Sequence, residues 1–244
     1  MRRRSLFAAG AAATVAGAAA VSTLPAWART DGDSEAGAAQ AWESEEQWGL
    51  WEDGDYTLYN NLWGEGWNYQ RIWANSHADW GVRADHPNTG GIKSYPNVSY
   101  TLGRNVWEMG DVQSSFRLSL PGAADGLAYN TAYDIWGNGH DHEIMLWMNW
   151  SGPVGPIGGQ VTTVSVGGHT WDYHQGSNGA NEVYSFLIHE HTSAATVDIA
   201  PIAQWLVEQG HMPEVRIDQI QLGWEITSAA GGFDFTVDDY SLSV

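Results

Sequence analysis

His142-Glu143-Ile144-Met145-Leu146-Trp147-Met148-Asn149-Trp150 alternates strictly between two kinds of side chain. A β-strand points successive side chains to opposite faces, so Ile144, Leu146 and Met148 share one face and Glu143, Met145, Trp147 and Asn149 the other. The aliphatic face reads as core. The other face carries a carboxylate between a methionine and a tryptophan, which is costly to bury ionised unless it is paired or does chemistry. Taken alone, Glu143 could equally be an ordinary solvated residue on a sheet.

A second run of the same kind changes that balance. In Gln219-Ile220-Gln221-Leu222-Gly223-Trp224-Glu225-Ile226-Thr227, the residues Ile220, Leu222, Trp224 and Ile226 fall on one face, and Glu225 points away from them. Two glutamates on the non-core faces of two strands suggest the paired carboxylates that cleave glycosidic bonds, one as acid/base and the other as nucleophile or base.

Around these runs, short β-type segments recur every eight to twelve residues, interrupted by Gly, Asn, Ser and Asp, which predicts an all-β sandwich or barrel. Strands are expected at Tyr56–Leu62, Gln70–Trp73, Val98–Tyr100, Val112–Leu120, Leu127–Trp136, Glu143–Trp150, Thr162–Val166, Thr170–Tyr173, Val183–His189, Ala195–Ile199, Gln219–Ile226 and Phe233–Val244. One segment differs. Pro201 to Gly210 has Pro in its first turn, Ile202, Trp205 and Leu206 at helical spacing, and a terminal Gly, so it predicts a single helix.

The N-terminus reads as a leader: Arg2-Arg3-Arg4, an Ala-rich apolar run from Leu6 to about Leu24, and Ala26-Trp27-Ala28 as a cleavage pattern. The arginines ahead of Ser5-Leu6-Phe7 favour twin-arginine export. Residues 1–28 are thus expected to be a signal peptide, 29–47 an acidic disordered lead-in, and 48–244 the domain. The only long apolar run is the cleavable one, so no membrane attachment is expected after processing.

The chain has 244 residues, no cysteine, 10 Lys+Arg and 29 Asp+Glu, for a formal net charge of −19. Lys93 is the only lysine. Phosphate recognition needs clustered basic residues, so nucleic acid and anionic membrane are excluded as partners. A balance this acidic also strains the fold by self-repulsion unless salt screens it, which points to a secreted protein of a salt-loving microbe.

Fifteen tryptophans, one of them in the leader, exceed what a core of this size needs. Aromatic faces stack on sugar rings, and Trp147, on the face of Glu143, is the expected platform. Asn60-Asn61-Leu62-Trp63-Gly64, Ile92-Lys93-Ser94-Tyr95-Pro96-Asn97, Ala132-Tyr133-Asp134-Ile135-Trp136, Glu143-Ile144-Met145-Leu146-Trp147, Gly152 to Gly158, Gly176 to Asn181 and Gly223-Trp224-Glu225 resemble, in that order, the landmarks of glycoside hydrolase family 12 endoglucanases. The resemblance covers about residues 48–244. It implies a β-jelly roll of two stacked antiparallel sheets, with a groove that binds a β-1,4-glucan.

By the same resemblance, Glu143 is the nucleophile and Glu225 the acid/base of a retaining endo-β-1,4-glucanase, and Asp134 supports the nucleophile. Asn61, Trp63 and Met145 match groove residues, and the Pro153 to Pro156 loop matches a cord across the groove. No cofactor is implied. The connection from Asp134 to Glu143 is shorter than in many fungal members, which puts in question the groove contacts that longer loops supply.

His140-Asp141-His142 and His189-Glu190-His191 each place two rings on one strand face, but neither comes with a third ligand at a metal-binding spacing, so no metal is expected. Asn97-Val98-Ser99 and Asn149-Trp150-Ser151 match the N-glycosylation sequon. A non-catalytic carbohydrate-binding jelly roll would use the same aromatics without needing both glutamates. An acidic cell-surface structural protein would explain the charge but not the motif blocks. Cellulose, xyloglucan and mixed-linkage β-glucan stay open as substrates, and a monomer is expected.

Overall fold

The computed structural model describes residues 40–244. The expected signal peptide and the start of the lead-in lie outside them. Fifteen strands follow in order: β1 (Trp42–Ser44), β2 (Leu50–Asp53), β3 (Tyr56–Tyr59), β4 (Tyr69–Ser76), β5 (Asp79–Asp85), β6 (Asn97–Asn105), β7 (Gln113–Ser119), β8 (Leu127–Gly137), β9 (His142–Ser151), β10 (Gly159–Val166), β11 (His169–Ser177), β12 (Glu182–Ile188), β13 (Ala194–Asp198), β14 (Arg216–Ala229) and β15 (Phe233–Ser243). The helix α1 (Ile199–Glu208) lies between β13 and β14.

The strands form two sheets, a jelly-roll sandwich. One has the order β1-β4-β5-β15-β7-β13 and the other β10-β11-β12-β9-β8-β14-β6-β3-β2. Pairing is antiparallel throughout except between β9 and β12, which run parallel. The main core fills the space between the sheets. From the larger sheet it takes Ile144, Leu146 and Met148 of β9 and Ile220, Leu222, Trp224 and Ile226 of β14, as the alternation predicted. The smaller sheet answers with Trp80, Val82, Phe116 and Phe235, and the Trp80 ring lies 5.1 Å from that of Trp224. A second, smaller apolar cluster of Ala132, Met145, Trp147 and Val183 sits on the opposite face of the larger sheet.

Three features differ from the sequence reading. The ordered domain begins before Trp48, because Trp42–Ser44 pairs with β4 and Trp42 stacks on Trp51 at 6.2 Å. Three strand residues in an acidic stretch are too few for an alternation signal. The helix starts at Ile199, two residues before Pro201, which then occupies a first-turn position where no intrahelical N–H bond is lost. Strands β2 and β5 were not expected at all.

The two sequon asparagines are also inaccessible. Asn97 is buried with Nδ2 donating to Tyr95 O at 2.8 Å, and Asn149 Nδ2 donates to Thr192 O at 2.8 Å. Neither amide is available to carry a glycan in the folded domain.

Candidate active site

Strand β8 lies between β9 and β14, and this adjacency gathers the acids. Asp134 of β8 is level with Met145 of β9 and with Gln221 of β14, while Glu143 is opposite Trp136 and Glu225 opposite Asn130. Asp134, Glu143 and Glu225 open into one cavity of about 560 Å³ on the non-core face of the larger sheet. Asn61, Trp63, Tyr95, Trp136, His140, Met145, Trp147, Gln221, Gly155 and Ile157 also line it.

Each acid has a distinct environment. Glu143 is buried and accepts a hydrogen bond from Asn181 Nδ2 at 2.5 Å. Burial raises its pKa, and hydrogen bonds from Asn181 and Asp134 pull the other way. Asp134 is pushed well above the usual carboxylate range, first by burial and then by the charges of Glu143 and Glu225. The more deeply buried Asp134 therefore keeps a proton and donates it in a hydrogen bond to Glu143, which stabilises Glu143 as the ion. Glu225 rises to about 7, chiefly through burial and further through the charge of Glu143. Asn130 Nδ2 opposes this by donating to Glu225 Oε2 at 2.6 Å. Glu225 thus titrates close to neutrality, next to a Glu143 whose two hydrogen-bond partners favour its ion.

The walls are fixed by backbone contacts. Asn61 takes φ +46°, a conformation that Asn tolerates better than most residues. It is clamped in both directions, Nδ2 donating to Tyr95 O at 3.1 Å and its carbonyl accepting from Tyr95 N at 3.0 Å. Next to it, a Cβ on Gly64 would stand 1.8 Å from the Ile92 carbonyl oxygen, so only glycine lets the Trp63 loop close on the Ile92 segment. Tyr95 is buried and donates its hydroxyl to Ala132 O at 3.2 Å.

The tryptophans divide differently from expectation. Trp63 is 49% exposed at the rim, whereas Trp147 is 3% exposed and packs with Met145 and Val183. Trp147 is floor, and Trp63 offers the free ring face. In the cord, Gly155 and Ile157 line the cavity, and Pro153 and Pro156, expected there, do not.

Several site residues had no assigned role in the sequence reading. Asn130 shares the alternation Asn130/Ala132/Asp134/Trp136, so the period-two pattern already contained it. Asn181 reaches Glu143 only because β12 runs parallel to β9 and pairs Val183 with Glu143, a contact with no local signal. His140 stands at the cavity rim with its ring 4.7 Å from that of Trp136. His142 turns instead to Tyr184, its Nδ1 at 3.0 Å from the hydroxyl, so the two histidines do not share a ligand. Among the described residues no group of three His, Asp or Glu side chains is placed to hold a metal ion.

A profile described as "Glycosyl hydrolase family 12" matches residues 54–244. The chain is 29% identical to a probable xyloglucan-specific endo-beta-1,4-glucanase A of Aspergillus terreus, over 82% of this chain and 86% of the relative. It is 28% identical to a xyloglucan-specific endo-beta-1,4-glucanase A of Emericella nidulans, over 81% and 89%. Among solved structures, the xyloglucanase domain of NopAA, a type three effector from Sinorhizobium fredii in complex with cellobiose, superposes with TM-score 0.79 at 34% identity, covering 84% of this chain and 99% of that one. Endoglucanase cel12A from Rhodothermus marinus gives TM-score 0.73 at 27% identity, covering 83% and 98%.

Proposed function

The chain belongs to glycosyl hydrolase family 12, and from that membership we propose a retaining endo-β-1,4-glucanase, exported by the twin-arginine route and acting outside the cell as a monomer in salt. The observation that supports the mechanism is the placement of two glutamates in one cavity in unlike surroundings: Glu143 accepts from Asn181 beside Asp134, and Glu225, accepting from Asn130, is pushed up to about 7 chiefly by burial.

In the first step the Glu143 carboxylate attacks the anomeric carbon while Glu225 gives its proton to the departing glycosidic oxygen. A covalent glycosyl ester forms on Glu143. Glu225, now ionised, takes a proton from water, whose oxygen attacks the same carbon and frees Glu143. Trp63 supplies a ring face for a glucosyl unit, and Met145 and Trp147 floor the cleavage point.

The backbone cut is a cellulose-like glucan. Xyloglucan is the second reading, favoured by the xyloglucan-specific relatives.

The test is reducing-sugar release from carboxymethyl cellulose, xyloglucan and mixed-linkage β-glucan in molar salt by the wild type, Glu143→Gln and Glu225→Gln. Cleavage by the wild type, with loss of several orders of magnitude in both folded variants and a β-anomer as first product, is expected. Binding without cleavage on all three polymers would turn the reading to a carbohydrate-binding module, and an α-anomer as first product would sink retention.

A further inference from the structure

Three exposed tryptophans, Trp48, Trp67 and Trp107, lie outside the catalytic cavity, and Trp107 lines a cavity of its own. Trp107 is 47% exposed in the short turn Val106–Glu108 between β6 and β7, at the rim of a concavity of about 660 Å³ that shares no residue with the catalytic one. The turn is anchored from below. Val106, Met109 and Val112 are fully buried in the core, Val106 N donates to Val215 O at 3.1 Å, and Ile199 N at the start of α1 donates to Val112 O at 2.9 Å. The ring is therefore presented outward on a fixed backbone, which spares a ligand the cost of ordering it.

The chemistry around the ring is selective. Asp111, Gln113, Asp198, Pro201 and Gln204 are among the residues that line it with Trp107, and no Lys or Arg does. Gln113 Nε2 donates to Asp198 Oδ1 at 2.6 Å, which fixes both side chains in the cavity. Carboxylates and amides beside an aromatic face suit a neutral ring that offers hydroxyl donors on its edge and C–H groups on its face. The same carboxylates disfavour anions in a chain of net charge −19, and the nearby Arg104 guanidinium donates to the Met109 carbonyl at 3.2 Å and is not part of the lining.

We propose that the Trp107 cavity is a second binding site for a neutral β-glucan chain, separate from the cleavage groove and serving to hold the enzyme on polymeric substrate. The proposal rests on the glucanase reading above. A weak second site on the same polymer acts through effective concentration, so its influence appears on long or insoluble glucan and vanishes on short soluble substrate.

The experiment uses the full chain carrying Glu143→Gln, so that cellohexaose is bound but not cut, and follows indole N–H signals by NMR. The Trp107 signal, assigned through Trp107→Phe, is expected to shift on titration with cellohexaose, at concentrations different from those that move Trp63. In the otherwise wild-type chain, Trp107→Ala is expected to lower adsorption to amorphous cellulose about fivefold or more, to leave turnover of cellotetraose unchanged, and to be largely rescued by Trp107→Tyr. Gln204→Ala, on the exposed side of the helix, should lower adsorption in the same sense and serves should Trp107→Ala fold poorly. If Trp63 responds and Trp107 does not, or adsorption is unchanged in both alanine variants, the second site is overturned and the groove assignment stands. If neither tryptophan responds and no glucan is cut, the glucanase reading fails first. A Trp107 response to oligolysine but not to cellohexaose would overturn the sugar assignment.

Discussion

Burial raises both Glu143 and Glu225, and an asparagine amide beside each, Asn181 and Asn130, pulls it part of the way back. In the proposed mechanism Glu225 acts protonated and Glu143 ionised, so kcat/KM should fall on the alkaline side as pH rises through about 7 and on the acid side as Glu143 gains a proton. Asn181→Ala removes a donor to the ionised form of Glu143. Its pKa then rises, and the acid limb of the profile moves to higher pH. A hydrogen bond to a charged group contributes about 1.5–3 kcal/mol, so kcat is expected to drop roughly 10- to 100-fold as well. Asn130→Ala acts on the other limb: Glu225 loses the bond that favours its ion, and the alkaline limb moves up. A profile in which either variant lowers activity without moving its limb would reduce that asparagine to packing. The same raised pKa has a stability sign. Between the model-compound value of 4.5 and about 7 the folded protein keeps a proton that the unfolded chain has released, so Glu225 makes stability fall as pH rises across that window. Glu225→Gln, which keeps the shape without the charge, should therefore melt higher than wild type at pH 8 and at nearly the same temperature at pH 4. Equal melting at both values would mean that Glu225 titrates normally.

At the scale of elements, the site depends on β8 and its two neighbours keeping register. Gly223 of β14 shows how tight that register is. A Cβ there would stand 2.1 Å from the Pro96 carbonyl oxygen and 2.9 Å from Asn97 Cα, both backbone atoms at the start of β6. Gly223→Ala is expected to cost about 1–3 kcal/mol, read as a lower denaturant midpoint, and to reduce activity because Gly223 shares the face of Gln221 and Glu225. A variant with unchanged midpoint would show that β6 yields freely. Strands β8, β9 and β14 were legible in the sequence because each is long, buried on one face and patterned with period two. That pattern alone turned Glu143, Glu225 and Asp134 away from the core. Strand β5 escaped because it contains Gly81, whose missing side chain makes room for the Trp73 ring, and glycine weakens any strand signal. Residues Leu50–Asp53 of β2 form an edge strand half open to water, with no hydrophobic run to find. The strands that carry the three acids could be read, but their partners could not: Asn181 meets Glu143 beside a parallel pairing that joins positions far apart in the chain, Glu182 with His142 and Val183 with Glu143. Which ring stands free at the rim was likewise not legible in the pattern, since alternation tells which face Trp147 is on but not that Met145 and Val183 pack against it.

For the molecule as a whole, the distribution of charge decides where stability is vulnerable. Of the five arginines among the described residues, Arg71, Arg83, Arg117 and Arg216 pair with Glu43, Asp234, Asp238 and Asp218. These pairs are at the surface, where such contacts contribute little each. Lys93 is fully buried and donates its ammonium to the carbonyls of Gly90 and Gly91, so the single lysine neutralises no acid through a direct pair. Among the described residues most acids therefore have no Arg or Lys partner, and the mutual repulsion of so acidic a chain favours its expanded form. Salt shortens the reach of that repulsion from about 10 Å at 0.1 M to about 3 Å at 1 M. The melting temperature is thus expected to climb steeply over that range of sodium chloride and then to level off. Chloride salts of different cations should act alike, because screening depends on ionic strength, whereas a gain from strengthened apolar burial would keep growing beyond 1 M and would be largest with sulfate. Neutralising the exposed Glu52, Glu208 and Asp239 together as Gln, Gln and Asn should raise the melting temperature at 0.1 M and flatten the salt response without touching the cavity. A wild-type melting curve that ignores salt, or a triple variant with the wild-type response, would mean that the acidic surface carries no penalty and that its cause lies outside stability.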